Sequence, residues 1–512
     1  MKEKGCMKGK DCIATFDIGT TALKGVVVSA SGDSIMEKSV AVETVFDGDY
    51  KEQRTLDWYS AFCEISNHFF SEGLRPDEVM GIAMSGQMQD LIPVAGDPAA
   101  GGILPVGNAI LYSDGRAGLQ AEKISGIIGI ENIEKSTGNH FDGSMPFAKL
   151  LWLAENRPDI YTASHKVLIS SKDYVAARLT GNYATDVTSA STAGLMDIRE
   201  KRWNLSWMEK MGLDPLKLPS ICYAEEKIGT VTEKASAESG FATGTPVYAG
   251  TGDAGATTLA SGIASDGEFN INLGTSGWIA CVSGDTLEKP GVFNLAAMQK
   301  GLYINVVPFL NAGNVHKWVS GILAPDTGAD GKYEYIDGLL NQSEAGSNGV
   351  LFLPYLTGER FPVMDTAVKG GFAGIVPETT KQDLARSVLE GVAFSIRQGL
   401  EAIGRRPVRI SLIGGGARVR TWCQILADVL GHSINVYEGA EYLPAAAVAG
   451  AVLAGQGRIS GYAAYIESLL NAGGSVCYTP APENTERYDR CYTSYLKLYP
   501  AFKSIYHSKF LF

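Results

Sequence analysis

The chain has 512 residues, 45% of them hydrophobic and 20% charged, and a net charge of −12. This is the balance of a globular protein too long for a single core, so two domains are expected. The negative charge argues against a general nucleic-acid binder or an anionic-membrane binder. There is no run of 18 apolar residues, and the polar stretch Met1–Lys10 has no apolar leader, so a cytoplasmic protein is expected. The eight cysteines (Cys6, Cys12, Cys63, Cys222, Cys281, Cys423, Cys477, Cys491) form no C-x-x-C pair. They read as free thiols in a reducing compartment, not as a zinc site or a disulfide frame.

In chain order, Cys12–Val28 reads as a hairpin: an apolar run to Asp17, a Gly19-Thr20-Thr21 turn, then a second apolar run. Gly19 lets backbone N–H groups approach an anion, the Thr hydroxyls add donors, and Asp17 offers a hard oxygen suited to Mg²⁺. An ordinary hairpin with an acid at its rim has the same sequence. Val79–Ser85 is a buried strand that delivers Gly86–Asp90 to its carboxyl end, where ligand-contacting side chains gather in α/β sheets. Leu111–Arg116 is read as another strand end. Gln87, Gln89, Asp90, Asp114 and Arg116 form a hydrogen-bonding set suited to a polyol, although Asp114 and Arg116 equally suit a structural ion pair. Ser144 is the expected N-cap of a helix with Pro146 in its first turn, on which Lys149 and Trp152 cover an apolar face. Thr185–Thr192, rich in small hydroxyls, reads as a loop, either near the cleft or as a plain connection.

Val247–Ala260 is a strand running into Gly250 and Gly252, with Asp253 opening a small-residue helix. Asp253 there is either an N-cap or an open carboxylate able to take a proton from an attacking hydroxyl. The hairpin pattern then returns: Phe269, Ile271 and Leu273 alternate with Asn270 and Asn272, and Gly274-Thr275-Ser276 forms the turn. Pro354–Pro362 is expected to be a surface loop. Thr380 to Asp383 has capping-box form and starts a helix with Leu384, Val388, Val392, Ile396 and Leu400 on one stripe. The strand Val408–Ile413 empties into Gly414-Gly415-Gly416-Ala417-Arg418, which suits a flat ring or a phosphate lying on backbone. The next helix carries Trp422, Ile425, Leu426, Val429 and Leu430 on one face. An alanine-rich helix, Pro444–Leu453, is expected to pack beneath that glycine loop. The Gly414–Gly416 run lacks the G-x-G-x-x-G spacing of a dinucleotide fold, and the chain has no P-loop.

Together these stretches resemble the FGGY carbohydrate kinases of the actin/hexokinase superfamily. Ser144-x-Pro146-x-x-Lys149-Leu-x-Trp152-Leu-x-Glu155-Asn156 fits the first family signature, and Gly370 to Glu390 fits the second. Asp17–Thr21 resembles the first phosphate motif, Asn272–Ser276 the second, and Gly414–Ala417 the adenosine motif. The resemblance implies an α/β fold of two RNase H-like domains flanking a catalytic cleft, expected as 12–262 (sugar-binding) and 263–490 (ATP-binding), with a helix over 491–512 packed on the second. It implies Asp253 as general base and, with Asp17, as a Mg²⁺ ligand. It places Gln87, Met88, Gln89, Asp90, Asp114, Arg116, Trp152 and Asp253 at the sugar. It places Gly19, Thr20, Thr21, Lys24, Gly274, Thr275, Ser276, Asn314, Gly414, Gly415, Gly416 and Ala417 at ATP.

Within the family the likeness is nearest to the xylulokinases, which usually read Met-His-Gly where this chain has Met88-Gln89-Asp90. Those two changes alter the donors facing a polyol. The expected reaction is ATP-dependent phosphorylation of a small sugar or polyol, a ketopentose such as D-xylulose first. The alternatives are ribulose, a pentitol, glycerol, gluconate or a signalling sugar, or a non-enzymatic nucleotide-dependent switch. Expected partners are the sugar alone, with no nucleic acid and no membrane; a homodimer is the assembly to test.

Overall fold

The computed structural model describes residues 11–96, 102–324, 331–437 and 442–507. Alternating and continuous runs of β-formers build two mixed sheets. In the first, β1 (Cys12–Ile18) and β2 (Ala22–Ser29) pair antiparallel, and β3 (Ser34–Ala41) extends the hairpin. Helix α1 (Thr55–Ser71) then crosses over, and β4 (Val79–Gly86) pairs parallel to β1 on its other side. β4 is buried along its whole length, as an unbroken apolar run requires of a strand covered on both faces. Helices α2 (Pro146–Asn156) and α3 (Ser171–Thr180) follow, then the short strand β5 (Ala184–Asp186), which runs straight into α4 (Val187–Ala190). With β6 (Lys227–Thr230) and β7 (Pro246–Tyr248) the sheet reads β6-β7-β4-β1-β2-β3. Thr251–Gly252 pair with the end of β4, and α5 (Asp253–Ala260) begins.

The second sheet is built from β8 (Glu268–Leu273), β9 (Gly277–Ser283), β10 (Phe293–Ala296) and β11 (Tyr303–Phe309). Past α6 (Gly313–Leu323), α7 (Gly331–Leu340) and α8 (Lys381–Ile403) come β12 (Arg409–Ile413), α9 (Arg420–Leu430), β13 (Ile434–Tyr437) and β14 (Ser475–Tyr478). Its order is β10-β11-β9-β8-β12-β13-β14. In each sheet the first strand is central, its hairpin partner lies antiparallel on one side, and a later strand joins parallel on the other. The two halves therefore share the RNase H-like order expected from the repeated hairpin.

The amphipathic stripes fall where the periodicity puts them. Val388, Val392, Ile396 and Leu400 of α8 and the five residues named for α9 are buried against the second sheet, Leu384 is half-buried, and Thr380 and Asp383 close a capping box. Several expectations change. Thr185–Thr192, expected as a loop, holds the end of β5 and the helix α4. Ser144 is not a cap: Met145 is the N-cap of α2, with Pro146 at the first helical position, and the Ser144 hydroxyl donates to Asp142. Strand pairing stops at Ile110, because the Asp114 carboxylate folds Leu111–Arg116 into turns by accepting the Lys51 and Arg116 N–H groups. Pro354–Pro362 is irregular but not superficial: Tyr355 and Glu359 are buried. The Glu359 carboxylate accepts the backbone N–H groups of Leu310 and Asn311 ahead of α6.

A further change concerns the alanine-rich segment. It forms two helices, Leu443–Ala447 and Ala449–Gly455, and these pack on Ile13, Val26 and Met80 of the first sheet, not beneath the glycine loop. Close approach explains the composition, since a Cβ on Gly81 would lie 2.7 Å from Val452 Cγ1. The segment expected to be one helix over 491–512 is two, Pro482–Tyr495 and Leu498–Tyr506, and residues 508–512 lie outside those described. Among the described residues, seven cysteines are free and no helix is long and apolar enough to cross a membrane; Cys6 lies outside them.

Gly250, which turns the chain from β7 toward Asp253, has φ +64°, and a Cβ there would sit 1.9 Å from the Met84 carbonyl oxygen. Gly250→Ala is therefore expected to lower stability by on the order of 2 kcal/mol or more, read as a lower denaturant midpoint.

Candidate active site

Parallel pairing brings three strand ends together. Across the first sheet Asp17 of β1 is in register with Ser85 of β4, and Ser85 with Thr251. Asp253 follows two residues later, at the first helical position of α5. The N-cap is Gly252, so the Asp253 side chain does not cap the helix, and it is half-buried, not sealed. Burial pushes its carboxyl up to about 7, and the negative charges of Asp17 and Asp186 add to the effect. Asp17 accepts the Ser85 hydroxyl at 2.8 Å and pairs across the hairpin with Lys24; burial also raises its pKa, against the pull of both. The Asp17 and Asp253 carboxylates are near enough for the charge of one to raise the pKa of the other, an arrangement able to take up a proton or a cation.

At the hairpin tip the Gly19 N–H is spent on the Ala22 carbonyl within the turn, so Gly19 supplies shape and no free donor. Thr21 is exposed. The Thr20 hydroxyl donates to Gln87 at 3.2 Å, and the Thr20 carbonyl accepts from Gln53 at 2.7 Å. Gln87 is itself buried, with its amide donating to Gln53. Its place is behind the Gly19–Thr21 turn, bracing it, and not at the surface. Gln53, which the sequence reading passed over, is the hub of this bracing and also accepts from Trp58.

On the expected sugar side, Met88 wedges against Gly252: a Cβ on that glycine would lie 2.0 Å from Met88 Sδ. Gln89 stands at φ +63°, half-buried, its amide donating to Ser144 Oγ at 2.7 Å. Asp90 is fully buried; one carboxylate oxygen accepts the Tyr112 N–H, and the other has no partner. Lys149, expected on a helix face, is fully buried and donates to the Gln89 and Leu111 carbonyls at 3.1 and 2.6 Å. Burial lowers Lys149 and raises Asp90, and their attraction opposes both shifts. Lys149 and Asp90 thus fasten the loop carrying Gln89 to Leu111–Arg116. Asp114 and Arg116 do form an ion pair, bonded twice, with Arg116 also bonded to Glu52. The guanidinium lies 3.9 Å from the Tyr50 ring and 5.0 Å from Trp152. Tyr50 and Glu52 carried no motif in the sequence; a short strand, Tyr50–Gln53, brings both to the site.

In the second half the Gly274–Ser276 turn and Gly414–Gly416 lie side by side, because β8 pairs parallel with β12. They open on a cavity of about 670 Å³ that Leu273, Gly274, Thr275, Asn314, Gly415 and Gly416 help to line. Thr275 and Ser276 are exposed at the tip. The N–H groups of Gly313 and Asn314 donate to the Gly274 and Thr275 carbonyls, so α6 starts against the turn. No neighbour lies within 4 Å of a Cβ on Gly415, whereas Gly414 abuts the Leu273 carbonyl and Ala417 packs on the core. Trp422, His316 and Tyr333 form a ring-lined wall, with His316 centred 5.5 Å from Trp422 and 4.8 Å from Tyr333. Burial lowers His316 to about 4, so the wall is uncharged at neutral pH. The open Gly415, the exposed Tyr333 ring and the exposed hydroxyls of Thr275 and Ser276 around this cavity suit a nucleotide.

Among the described residues no group of three or more His, Cys, Asp or Glu side chains is assembled for a metal. Two carboxylates fit Mg²⁺ all the same, since that ion takes one or two acids together with phosphate oxygens and water.

Comparison with known proteins agrees with this geometry. The model for the FGGY family of carbohydrate kinases, N-terminal domain, matches residues 12–260, and that for the C-terminal domain matches residues 269–456. The chain is similar to xylulose kinase of Staphylococcus xylosus, at 31% identity over 82% of this chain and 86% of that one. It is also similar to gluconokinase of Bacillus subtilis, at 26% identity over 92% of each. The crystal structure of xylulose kinase from Rhodospirillum rubrum superposes with a TM-score of 0.88 at 26% identity, covering 97% of this chain and 100% of that one. With family models matching residues 12–260 and 269–456, this chain belongs to the FGGY family of carbohydrate kinases.

Proposed function

We propose that the chain transfers the γ-phosphate of ATP to a hydroxyl of a ketopentose such as D-xylulose, in the cytoplasm. The observation that carries this reading is Asp253: a half-buried carboxylate, free of helix capping, tuned near neutrality and placed beside Asp17. Asp253 accepts the proton of the attacking hydroxyl, with Met88 packed against the adjacent Gly252. Thr21, Thr275 and Ser276 offer hydroxyls to phosphate oxygens, Lys24 adds charge from β2, and Gly415 and Gly416 receive the adenine face. Asp17 and Asp253 would hold magnesium, which supplies neutralisation of the phosphate charge when bound.

The substrate reading draws on the names of the relatives and on charge. Arg116 is committed to Asp114 and Glu52, and Lys149 to two carbonyls and Asp90. Neither is left to neutralise an aldonate carboxylate, which favours an uncharged ketose over gluconate.

Three outcomes are expected. Asp253→Asn lowers kcat by about a thousandfold while ADP binding, measured by calorimetry, stays within a few-fold. Because the base must be ionised and its pKa is raised, kcat/KM falls about tenfold per pH unit below about 7 and levels off above it. In an ADP-release assay across ketopentoses, pentitols, glycerol, gluconate and ketohexoses, D-xylulose gives the highest kcat/KM and gluconate a far lower one; a preference for gluconate would overturn the substrate reading.

A further inference from the structure

A second charged cluster lies behind the base, where no motif pointed. Lys172 of α3 is fully buried, with its ammonium 2.6 Å from Asp173 Oδ1 and 2.9 Å from Asp186 Oδ1. Asp186, the last residue of β5, is also fully buried. Its Oδ1 further accepts the Ser189 hydroxyl. Its Oδ2 accepts the N–H groups of Thr188 and Ser189, the Thr251 hydroxyl at 3.3 Å and the Gly252 N–H at 3.3 Å. One carboxylate thus joins α3, α4 and the two residues immediately before Asp253.

A buried charge of this kind is costly unless paired, and a hydrophobic filling would serve stability as well. What hydrophobes cannot supply is a grip on two donors of the Thr251–Gly252 backbone turn. The grip is reinforced sterically, because Gly252 is held between Met88 Sδ and Ser189 Oγ, 2.0 and 3.0 Å from where a Cβ would stand. The same short helix reaches the second half of the chain: the Thr188 hydroxyl donates to the Ala296 carbonyl at 2.7 Å, and the Ala296 N–H donates to Ser191 Oγ at 2.8 Å. β10, α4, Asp186 and the start of α5 therefore form one hydrogen-bonded chain.

We infer that Asp186, balanced by Lys172, is the positioning residue for Asp253, fixing where the base stands relative to the bound hydroxyl and tying that position to the second half. The inference rests on the reading of Asp253 as base. Asp186 touches neither substrate nor nucleotide, so its loss acts on the reacting geometry and not on binding. A small misplacement of a reacting group costs up to about a hundredfold in rate, and the loss of an outer partner of a site ligand about ten- to a hundredfold.

The test is steady-state kinetics of the full chain with the sugar that gives the highest ADP release. Asp186→Asn turns a donor amide toward the Thr251 and Gly252 donors; kcat is expected to fall about ten- to a hundredfold, with both KM values within about twofold. Thr251→Val removes one of the two grips without touching the buried charges, and a several-fold loss confined to kcat is expected. Should Asp186→Asn fail to fold, Thr251→Val decides alone. An unchanged kcat, or a loss spread equally over kcat and both KM values, overturns the positioning role. Absence of ADP release by the unaltered chain with every sugar refutes instead the reading of the site itself.

Discussion

The parallel pairing of three strand ends in the first sheet is the constraint on which the site depends. β1, β4 and Thr251–Gly252 run in the same direction, so Asp17, Ser85 and Thr251 fall in one row at their carboxyl ends. Parallel strands are joined by crossovers that return each strand to the same edge, and side chains from distant parts of the chain meet there. Burial at this edge disfavours the charged Asp253 carboxylate, and the neighbouring Asp17 charge adds to the effect. The raised pKa of Asp253 is thus a consequence of sheet topology before it is a property of residue 253.

Around this row the structure uses buried polar groups as braces. Gln53 and Gln87 hold the tip of the first hairpin from behind, and Lys149 and Asp90 fasten the loop carrying Gln89. Lys172 and Asp186 grip the chain just before Asp253. Each brace joins segments far apart in sequence. Each is directional, which apolar packing is not, and so fixes a loop to a fraction of an ångström where burial alone would leave it free to slide.

The second half repeats the strand order and uses it differently. The turn after β8 and the glycines after β12 border an open cavity walled by Trp422, His316 and Tyr333. The two halves are joined by more than the link after α5. Asn139 exchanges hydrogen bonds of 2.7 Å with the backbone of Asn294, and the alanine-rich helices near residue 450 pack on the first sheet. Small side chains make the second contact possible, since larger ones would meet Gly81 and its neighbours.

Local patterns in the sequence determined the two hairpins, the buried strand Val79–Gly86, and the apolar faces of α8 and α9, because periodicity and turn chemistry act over a few residues. The repeated Gly-Thr turn also disclosed the doubling of the fold, and the order of the sheets bears this out. What tertiary structure decided was the partner of each polar side chain. Gln87 faces inward, Asp90 and Lys149 form a buried pair, and the alanine helices cross to the other sheet. Asp186 lay in a hydroxyl-rich stretch read as a loop, near the cleft or merely connecting, and Tyr50 and Glu52 carried no motif. Their roles come from residues about 60 or more positions away, a separation at which neither spacing nor composition carries a signal. The sequence names the groups able to hold a proton or a phosphate; only the packed chain assigns which of them face the ligand and which hold the others still.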